Sequence, residues 1–225
     1  MFKQFFQRLK NKALARQLRR PKGVVGNKVG LMMNKANAFL YEFTFATMHV
    51  ADNDAVLEIG FGNGMFFQPL FNKATGLQLS GLDFSDTMVK AATANNPSLI
   101  AQQQLTLVQG SSNQMPFPDN SFDKIFCINV IYFWDEPALH LQEIKRVLKP
   151  GGHFYATFRT KESMAQMPFT QYGFTKYSEE SWRELVEQNG LLFEETVLTN
   201  EPEVEFQGHP FRVQSYCLVA KKKGL

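Results

Sequence analysis

The chain has 225 residues, of which 44% are hydrophobic and 20% are charged. These values are typical of one folded domain and exclude an intrinsically disordered chain. No apolar run reaches the roughly 18 residues that a membrane-spanning helix requires, so we predict no transmembrane segment. Cys127 and Cys217 lie in apolar runs and lack the Cys and His spacing of a zinc site. We therefore predict buried thiols, no metal and a cytoplasmic location.

The N-terminal segment is strongly basic. Residues 1–41 contain ten Lys or Arg and no acidic residue, which leaves 14 of the 24 basic residues against all 21 acidic residues in residues 42–225. Apolar residues recur at helical spacing from Phe2 to Leu18, which predicts an amphipathic basic helix ending near Pro21. Four roles remain open for this helix: packing on the domain with a solvated basic face, contact with a membrane surface or other anionic partner, binding of nucleic acid, and a targeting presequence.

The following segment is rich in Gly, Met and Phe. Gly23, Gly26 and Gly30 predict breaks in the backbone before a helical stretch, Leu31–Met48. Within that stretch Tyr41 is our candidate contact to a ligand pocket.

A strand and a glycine loop come next, in the run Ala55–Gly64, which reads AVLEIGFGNG. The apolar start predicts a strand that is buried on both faces. Glycines at three alternate positions, Gly60, Gly62 and Gly64, then allow the backbone to turn tightly and to approach a ligand closely. We expect a helix from Met65 onward, whose first N–H groups face that ligand. Strand, glycine loop and helix together predict a nucleotide-binding unit.

The glycine spacing distinguishes between nucleotides. A dinucleotide fingerprint requires its third glycine at position 65, which is Met65 in this chain. Together with Glu58, two residues before the first glycine, the run has the pattern E-x-G-x-G-x-G. It resembles motif I of the class I S-adenosylmethionine-dependent methyltransferases. The resemblance implies S-adenosylmethionine as cofactor, with five of these residues at its site: Glu58, Gly60, Phe61, Gly62 and Gly64.

A carboxylate ends the second predicted strand, Leu77–Asp83. Asp83 lies 19 residues after Gly64, close to the roughly 20-residue distance at which a carboxylate reaches a nucleotide ribose. Two vicinal hydroxyls donate two charge-assisted hydrogen bonds to one such carboxylate. Phe84 is then placed to pack on adenine, and the helix capped by Ser85 carries Met88, which we also assign to the cofactor site.

A second resemblance covers residues 107–134. After a third strand, Leu105–Gln109, the run Met115–Asp123 is similar to that of the ubiquinone/menaquinone-biosynthesis (methyltransferase type 11) group. That group has an Asp where this chain has Ser111, and the Asp hydrogen-bonds the adenine amino group. Ser111 still accepts one hydrogen bond, and the N–H of Ser112 serves the adenine ring.

The fourth predicted strand, Lys124–Ile128, leads into the candidate acceptor region, because ligands of open α/β sheets bind beyond the carboxyl ends of the strands. We predict that Asn129 contacts the methionine part of the cofactor and that Tyr132 borders the acceptor pocket. A plain hydrophobic cluster of residues 132–134 is the alternative. Enzymes that methylate nucleic-acid bases often carry prolines between these two positions, and their absence argues against that activity.

The last third of the chain is less informative. Pro137 opens a helix that residues 149–152 end before a fifth strand, and we place His140 on the surface and His153 at a strand edge. Residues 157–176 are predicted as a loop. A helix (residues 178–189) and a closing strand pair (residues 191–198 and 213–221) follow. The candidate substrate contacts in this part of the chain are Arg159, Gln171, Tyr172 and His209, and His209 is also a candidate general base.

The sequence as a whole predicts an α/β fold. We expect a Rossmann-like, seven-stranded, mostly parallel sheet with helices on both faces and its last strand antiparallel. Residues 1–50 form a basic helical extension and a possible lid, and residues 51–225 form the S-adenosylmethionine-binding domain. The predicted function is in-line methyl transfer to a small-molecule acceptor. A nicotinamide-dependent oxidoreductase, a non-catalytic scaffold and an RNA-directed methyltransferase are the alternatives.

Overall fold

A computed structural model of the chain describes residues 2–206 and 209–224. Within these ranges the chain forms eight α-helices: Phe2–Arg19 (α1), Gly23–Met48 (α2), Phe67–Phe71 (α3), Asp86–Asn95 (α4), Pro97–Ala101 (α5), Pro137–Val147 (α6), Lys161–Ala165 (α7) and Glu179–Gln188 (α8). It also forms nine strands: Ala55–Ile59 (β1), Gln78–Asp83 (β2), Leu105–Gln109 (β3), Phe122–Ile128 (β4), Leu148–Arg159 (β5), Leu192–Asn200 (β6), Val204–Phe206 (β7), His209–Phe211 (β8) and Gln214–Lys221 (β9).

Seven of the strands form one sheet, in the order β3-β2-β1-β4-β5-β9-β6. Strands β1 to β5 are parallel to one another, whereas β9 runs antiparallel to both β5 and β6. The predicted sheet, with its last strand antiparallel, is confirmed. Strands β7 and β8 pair separately.

Helices cover both faces of the sheet, as the apolar strands require. On β1, Val56 packs on the face covered by α2 to α5, and Leu57 packs on the face covered by α6 and α8. On β4, Phe126 and Ile125 alternate in the same way. This alternation buries the strands on both sides and leaves their carboxyl ends as the open edge.

Helix α2 is longer than predicted, because Gly26 and Gly30 do not break it. A Cβ added at Gly26 would lie 2.7 Å from the carbonyl carbon of Pro21, and one at Gly30 would lie 3.3 Å from Sδ of Met88. The two glycines therefore permit close packing inside a helix, where their low propensity costs about 1 kcal/mol each relative to alanine. Gly23, with φ +57°, begins the helix.

Helix α1 confirms the predicted basic helix, and it contacts α2 and a 3₁₀ turn, Pro168–Gln171. The corner between α1 and α2 is tied to the segment after β2. The Ser85 hydroxyl donates to the Pro21 carbonyl at 2.6 Å, and the Gly23 N–H donates to Oγ1 of Thr87 at 3.1 Å. In the part of the chain that the structure describes, no helix is long and apolar enough to cross a bilayer.

Smaller differences from the predicted elements have local reasons. Helix α3 has five residues and begins at Phe67 rather than Met65. Pro69 therefore lies in the first turn, where a missing N–H leaves no broken bond. The run 149–152 belongs to β5, and Gly151, with φ +79°, sits within that strand. The predicted loop 157–176 contains α7 and the 3₁₀ turn.

Candidate active site

A cavity of about 360 Å³ opens at the carboxyl ends of β1, β2 and β4. This volume falls within the range of small-molecule sites. Ten residues proposed from the sequence line it: Tyr41, Gly60, Phe61, Gly62, Asp83, Phe84, Met88, Ser111, Ser112 and Asn129. We call it the first cavity.

The three glycines of the loop after β1 have different surroundings, although all have positive φ. A Cβ at Gly60 would lie 2.4 Å from Cγ2 of Val130, and one at Gly64 would lie 2.7 Å from Cβ of Ala92. A Cβ at Gly62 would meet nothing within 4 Å. Gly60 and Gly64 are thus required for packing against the protein, and Gly64 does not line the first cavity. Gly62 leaves open space where a ligand can approach the backbone.

Asp83 places a carboxylate in the first cavity at the end of β2. Its Oδ2 accepts from the Gly62 N–H at 3.0 Å, and its Oδ1 accepts from the Ser85 N–H at 2.8 Å. Burial raises the pKa of Asp83 to about 6, and these two N–H groups oppose the rise. At neutral pH the group is therefore mostly ionised. An ionised carboxylate offers about four acceptor sites, of which two remain for a ligand.

Glu58 lies beneath the first cavity instead of lining it. Its Oε1 accepts from the Tyr41 hydroxyl at 2.6 Å, and the Tyr41 ring stacks on Phe66 with 3.7 Å between ring centroids. Burial raises the pKa of Glu58 to about 8, although the hydrogen bond from Tyr41 acts in the opposite direction. Glu58 therefore holds a proton at neutral pH, and it connects α2 to β1.

His140 is buried, so its predicted surface position was wrong. Its Nδ1 lies 2.7 Å from Oγ of Ser112, and its ring stacks on Trp134 with 4.5 Å between centroids. Burial lowers the pKa of His140 to about 4, which keeps the imidazole neutral. The sequence signal was its place beside Leu141 and four residues before Ile144, on the apolar face of α6.

Asn129 follows β4 with φ +57°, a conformation that Asn tolerates better than most residues. Its Nδ2 donates to Oδ1 of Asn37 at 3.1 Å, and its Oδ1 accepts from the Tyr132 hydroxyl at 3.0 Å. Sequence reasoning missed Asn37. The signal was a set of polar residues at helical spacing along α2: Asn34, Asn37, Tyr41 and Thr44.

A second cavity, of about 680 Å³, lies between α1, α2 and the segment after β5. Its lining is mostly apolar and includes Leu14, Met32, Phe39, Met164, Met167 and Phe174. Four residues line both cavities: Leu18, Met33, Asn129 and Phe133. The two cavities therefore meet at the carboxyl end of β4.

Two charged residues that line the second cavity, Arg159 and Glu201, are paired with each other. Nε and Nη2 of Arg159 donate to the two carboxylate oxygens of Glu201, each at 2.8 Å, and Nη2 also donates to the Ala36 carbonyl at 3.0 Å. Burial works to lower the pKa of Arg159, but its hydrogen bonds to Glu201 raise it above the ordinary value. The Arg159 N–H donates to the Tyr132 hydroxyl. Both predicted residues, Arg159 and Tyr132, line this cavity.

Two other candidates are not brought to these cavities. Among the described residues that line them, Gln171 and Tyr172 are absent. The side chain of His209 lies outside the described residues. His153 pairs with Glu194, with 3.1 Å between Nε2 and Oε2.

Comparison with known proteins gives the family. Residues 57–156 match the family described as a methyltransferase domain. A demethylmenaquinone methyltransferase of Bacillus licheniformis is 30% identical over 190 residues, which cover 75% of this chain and 78% of that protein. The chain belongs to this methyltransferase family. An uncharacterized methyltransferase of Bacillus subtilis, YdaC, is 29% identical over 136 residues, which cover 60% of this chain and 73% of YdaC.

Solved structures share the methyltransferase fold. A chain from the complex of the Haloferax volcanii Trm112 methyltransferase activator with a methyltransferase has a TM-score of 0.76 at 22% identity, over 88% of this chain and 95% of that one. A geranyl diphosphate methyltransferase in complex with GPP and sinefungin has a TM-score of 0.67 at 12% identity, over 82% and 78% of the two chains. At these identities the likeness shows the fold alone.

The predicted class I methyltransferase family is confirmed, and the methyl donor is S-adenosylmethionine. The chemical groups that line the first cavity suit that donor. It combines the Asp83 carboxylate, which suits vicinal hydroxyls, with the apolar side chains of Phe84 and Met88, which suit a flat ring. The open space over Gly62 admits a ligand against the backbone.

Proposed function

We propose that this methyltransferase transfers a methyl group from the first cavity to a small apolar molecule in the second cavity. The observation that carries the proposal is the meeting of the two cavities at Asn129, at the carboxyl end of β4. Open α/β sheets bind their ligands at this edge. A donor and an acceptor that bind on either side of Asn129 face each other there.

The residues of the first cavity have distinct proposed roles toward the donor. Asp83 accepts the two ribose hydroxyls, while Phe84 and Met88 pack on the adenine. Ser111 and Ser112 hydrogen-bond the adenine edge, and Asn129 contacts the methionine part. The loop residues Gly60, Phe61 and Gly62 form the wall against which the donor lies.

The chain needs little acid–base chemistry of its own for this reaction. When bound, S-adenosylmethionine would supply a methyl group on a cationic sulfur that is already activated for in-line displacement, and S-adenosylhomocysteine would be the leaving group and product. The protein contributes alignment and exclusion of water. Tyr132 and Asn37 hold the amide of Asn129 from both ends, which fixes the junction between the cavities. We propose that residues 1–50 act as a lid, since α1 and α2 contribute residues to both linings.

The proposed acceptor is an elongated apolar molecule, because Leu, Met and Phe dominate the second cavity. By their names, two relatives act on demethylmenaquinone and on a fatty acid. Arg159 and Glu201 present a paired polar group to such a molecule. We also propose that the enzyme acts in the cytoplasm, because the buried free thiols of the protein, Cys127 and Cys217, suit a reducing compartment.

Asp83→Ala tests the donor site. We expect calorimetry to show at least ten-fold weaker binding of S-adenosylmethionine, or about 1.4 kcal/mol, because two charge-assisted hydrogen bonds are lost. Asp86→Ala is the matched control, since that exposed carboxylate lines neither cavity and should leave affinity unchanged. Asp83→Asn keeps an acceptor for the Gly62 N–H and separates loss of charge from loss of folding. A wild-type chain that binds no donor would instead favour a scaffold.

Ala36→Trp tests the acceptor site. The large side chain should fill the second cavity and weaken binding of the fluorescent fatty acid cis-parinaric acid at least about ten-fold. Affinity for S-adenosylmethionine should stay within two-fold of the wild type, since Ala36 does not line the first cavity. Ala46→Trp places the same side chain at an exposed site on α2 and should change neither affinity. Equal probe binding by all three proteins would contradict the assignment.

A further inference from the structure

Helix α1 presents two different faces. One face lines the second cavity through Gln7, Lys10, Asn11, Leu14 and Leu18, which follow helical spacing. The other face is directed away from the cavity and exposes Phe5 at 59%, Phe6 at 58% and Leu9 at 48%. Large apolar side chains on the outer surface of a helix that already covers a cavity do not contribute to the packing of this fold.

Exposed cations surround these apolar side chains. Arg8, Lys12 and Arg16 are exposed on α1, and residues 1–41 as a whole contain ten Lys or Arg and no acidic residue. A helix that combines aromatic and leucine side chains with Lys and Arg is typical of segments that lie in the interface of an anionic bilayer. The charge of this face complements such a surface.

The exposed apolar surface also reaches the second cavity. On α2, Val24, Val25, Leu31 and Met32 are exposed, and Met32, exposed at 46%, is itself part of the cavity lining. An apolar molecule at this part of α2 therefore meets, at Met32, a side chain that belongs to the cavity lining.

We propose that α1 and the first half of α2 bind the surface of an anionic lipid bilayer, from which the apolar acceptor enters the second cavity. The second part of this statement rests on the function proposed above, whereas the first part does not. Lipid binding is measured without methyl donor or acceptor, so its failure and the failure of methyl transfer are distinguishable.

The test is flotation of the full chain with vesicles of phosphatidylcholine alone or mixed with phosphatidylglycerol. We expect the protein to float with the mixed vesicles and to bind vesicles of phosphatidylcholine alone at least ten-fold more weakly. Salt at 0.5 M should weaken the binding to the mixed vesicles. Phe5→Ser combined with Leu9→Ser should weaken it at least ten-fold. The control, Leu192→Ser with Leu198→Ser, removes two equally exposed apolar side chains from the edge strand β6 and should have no effect.

Each alternative occupant gives a different result. Unchanged affinity for S-adenosylmethionine in the α1 double variant shows that this protein is folded. Equal vesicle binding by both double variants, or no binding by the wild type, would overturn the proposal. So would a higher affinity for a single-stranded RNA oligonucleotide than for mixed vesicles. A dimer seen by sedimentation that the α1 double variant abolishes would assign the face to a second copy of the chain.

Discussion

Gly62→Ala is expected to weaken binding of S-adenosylmethionine at least about 100-fold, or about 2.7 kcal/mol. The added methyl group has no protein neighbour within 4 Å, and Gly62 lines the first cavity, so the methyl group takes up space that the donor requires. The φ of +58° adds a steric cost of about 1–2 kcal/mol for a residue with a Cβ. Calorimetric titration and urea unfolding measure the two effects separately.

Gly173→Ala is the matched control for this substitution. Gly173 has φ +73° and open space around its added Cβ, but it lines neither cavity. Both variants should lose similar folding free energy, and only Gly62→Ala should lose the donor. If the two variants bind the donor equally well, the loop after β1 does not form the wall of its site.

Glu58→Gln is expected to flatten the dependence of unfolding free energy on pH. In the wild type the folded pKa of Glu58, about 8, lies above the ordinary value of 4.5. The resulting stability is complete below pH 4.5 and is lost as pH rises to 8, by about 1.4 kcal/mol per pH unit. The variant lacks this loss, so its stability relative to the wild type should rise as the pH rises from 4.5 to 8. Its amide oxygen still accepts from Tyr41.

Other groups also titrate in this pH range, and the comparison between wild type and variant removes their contribution. Asp83 also has a raised folded pKa, of about 6, while the pKa of His140 is lowered, so His140 destabilises the fold as pH falls below 6.5. Both groups are present in wild type and variant alike. Urea unfolding from pH 5 to 8.5 gives the difference curve, and the control is Glu42→Gln, which removes an exposed carboxylate from α2. Parallel curves for Glu58→Gln and the wild type would show that the Glu58 carboxylate ionises normally in the fold.

Strands β1 to β4 were predictable because each is a short, largely apolar run bounded by turn residues. Strand β3 has the predicted bounds, and β2 ends at Asp83 as expected. The glycines of α2 were not predictable in the same way. Whether a glycine breaks a helix or packs against a neighbour depends on that neighbour, and Met88 lies 58 residues after Gly30 in the chain.

The residues of the candidate site were likewise predictable only where they form a local sequence pattern. The glycine loop and Asp83 were visible because their spacing in one βα unit is a local pattern. His140 and Asn37 were missed because each lies on a largely buried helix face, and their partners, Ser112 and Asn129, are distant in sequence. The second cavity combines residues 7–39 with residues 129–213, so no local pattern outlines it.

The attachment of the α1–α2 corner has a consequence for the energetics of binding. Asp83 accepts from the Ser85 N–H, and the Ser85 hydroxyl donates to the Pro21 carbonyl, so one residue, Ser85, joins the carboxylate of the first cavity to the corner. A ligand that binds Asp83 more tightly while this chain of hydrogen bonds is intact stabilises the corner by the same free energy that it gains, because coupling is reciprocal. Hydrogen exchange at the Gly23 amide, which lies outside the cavity, should then become slower when a ligand fills the cavity.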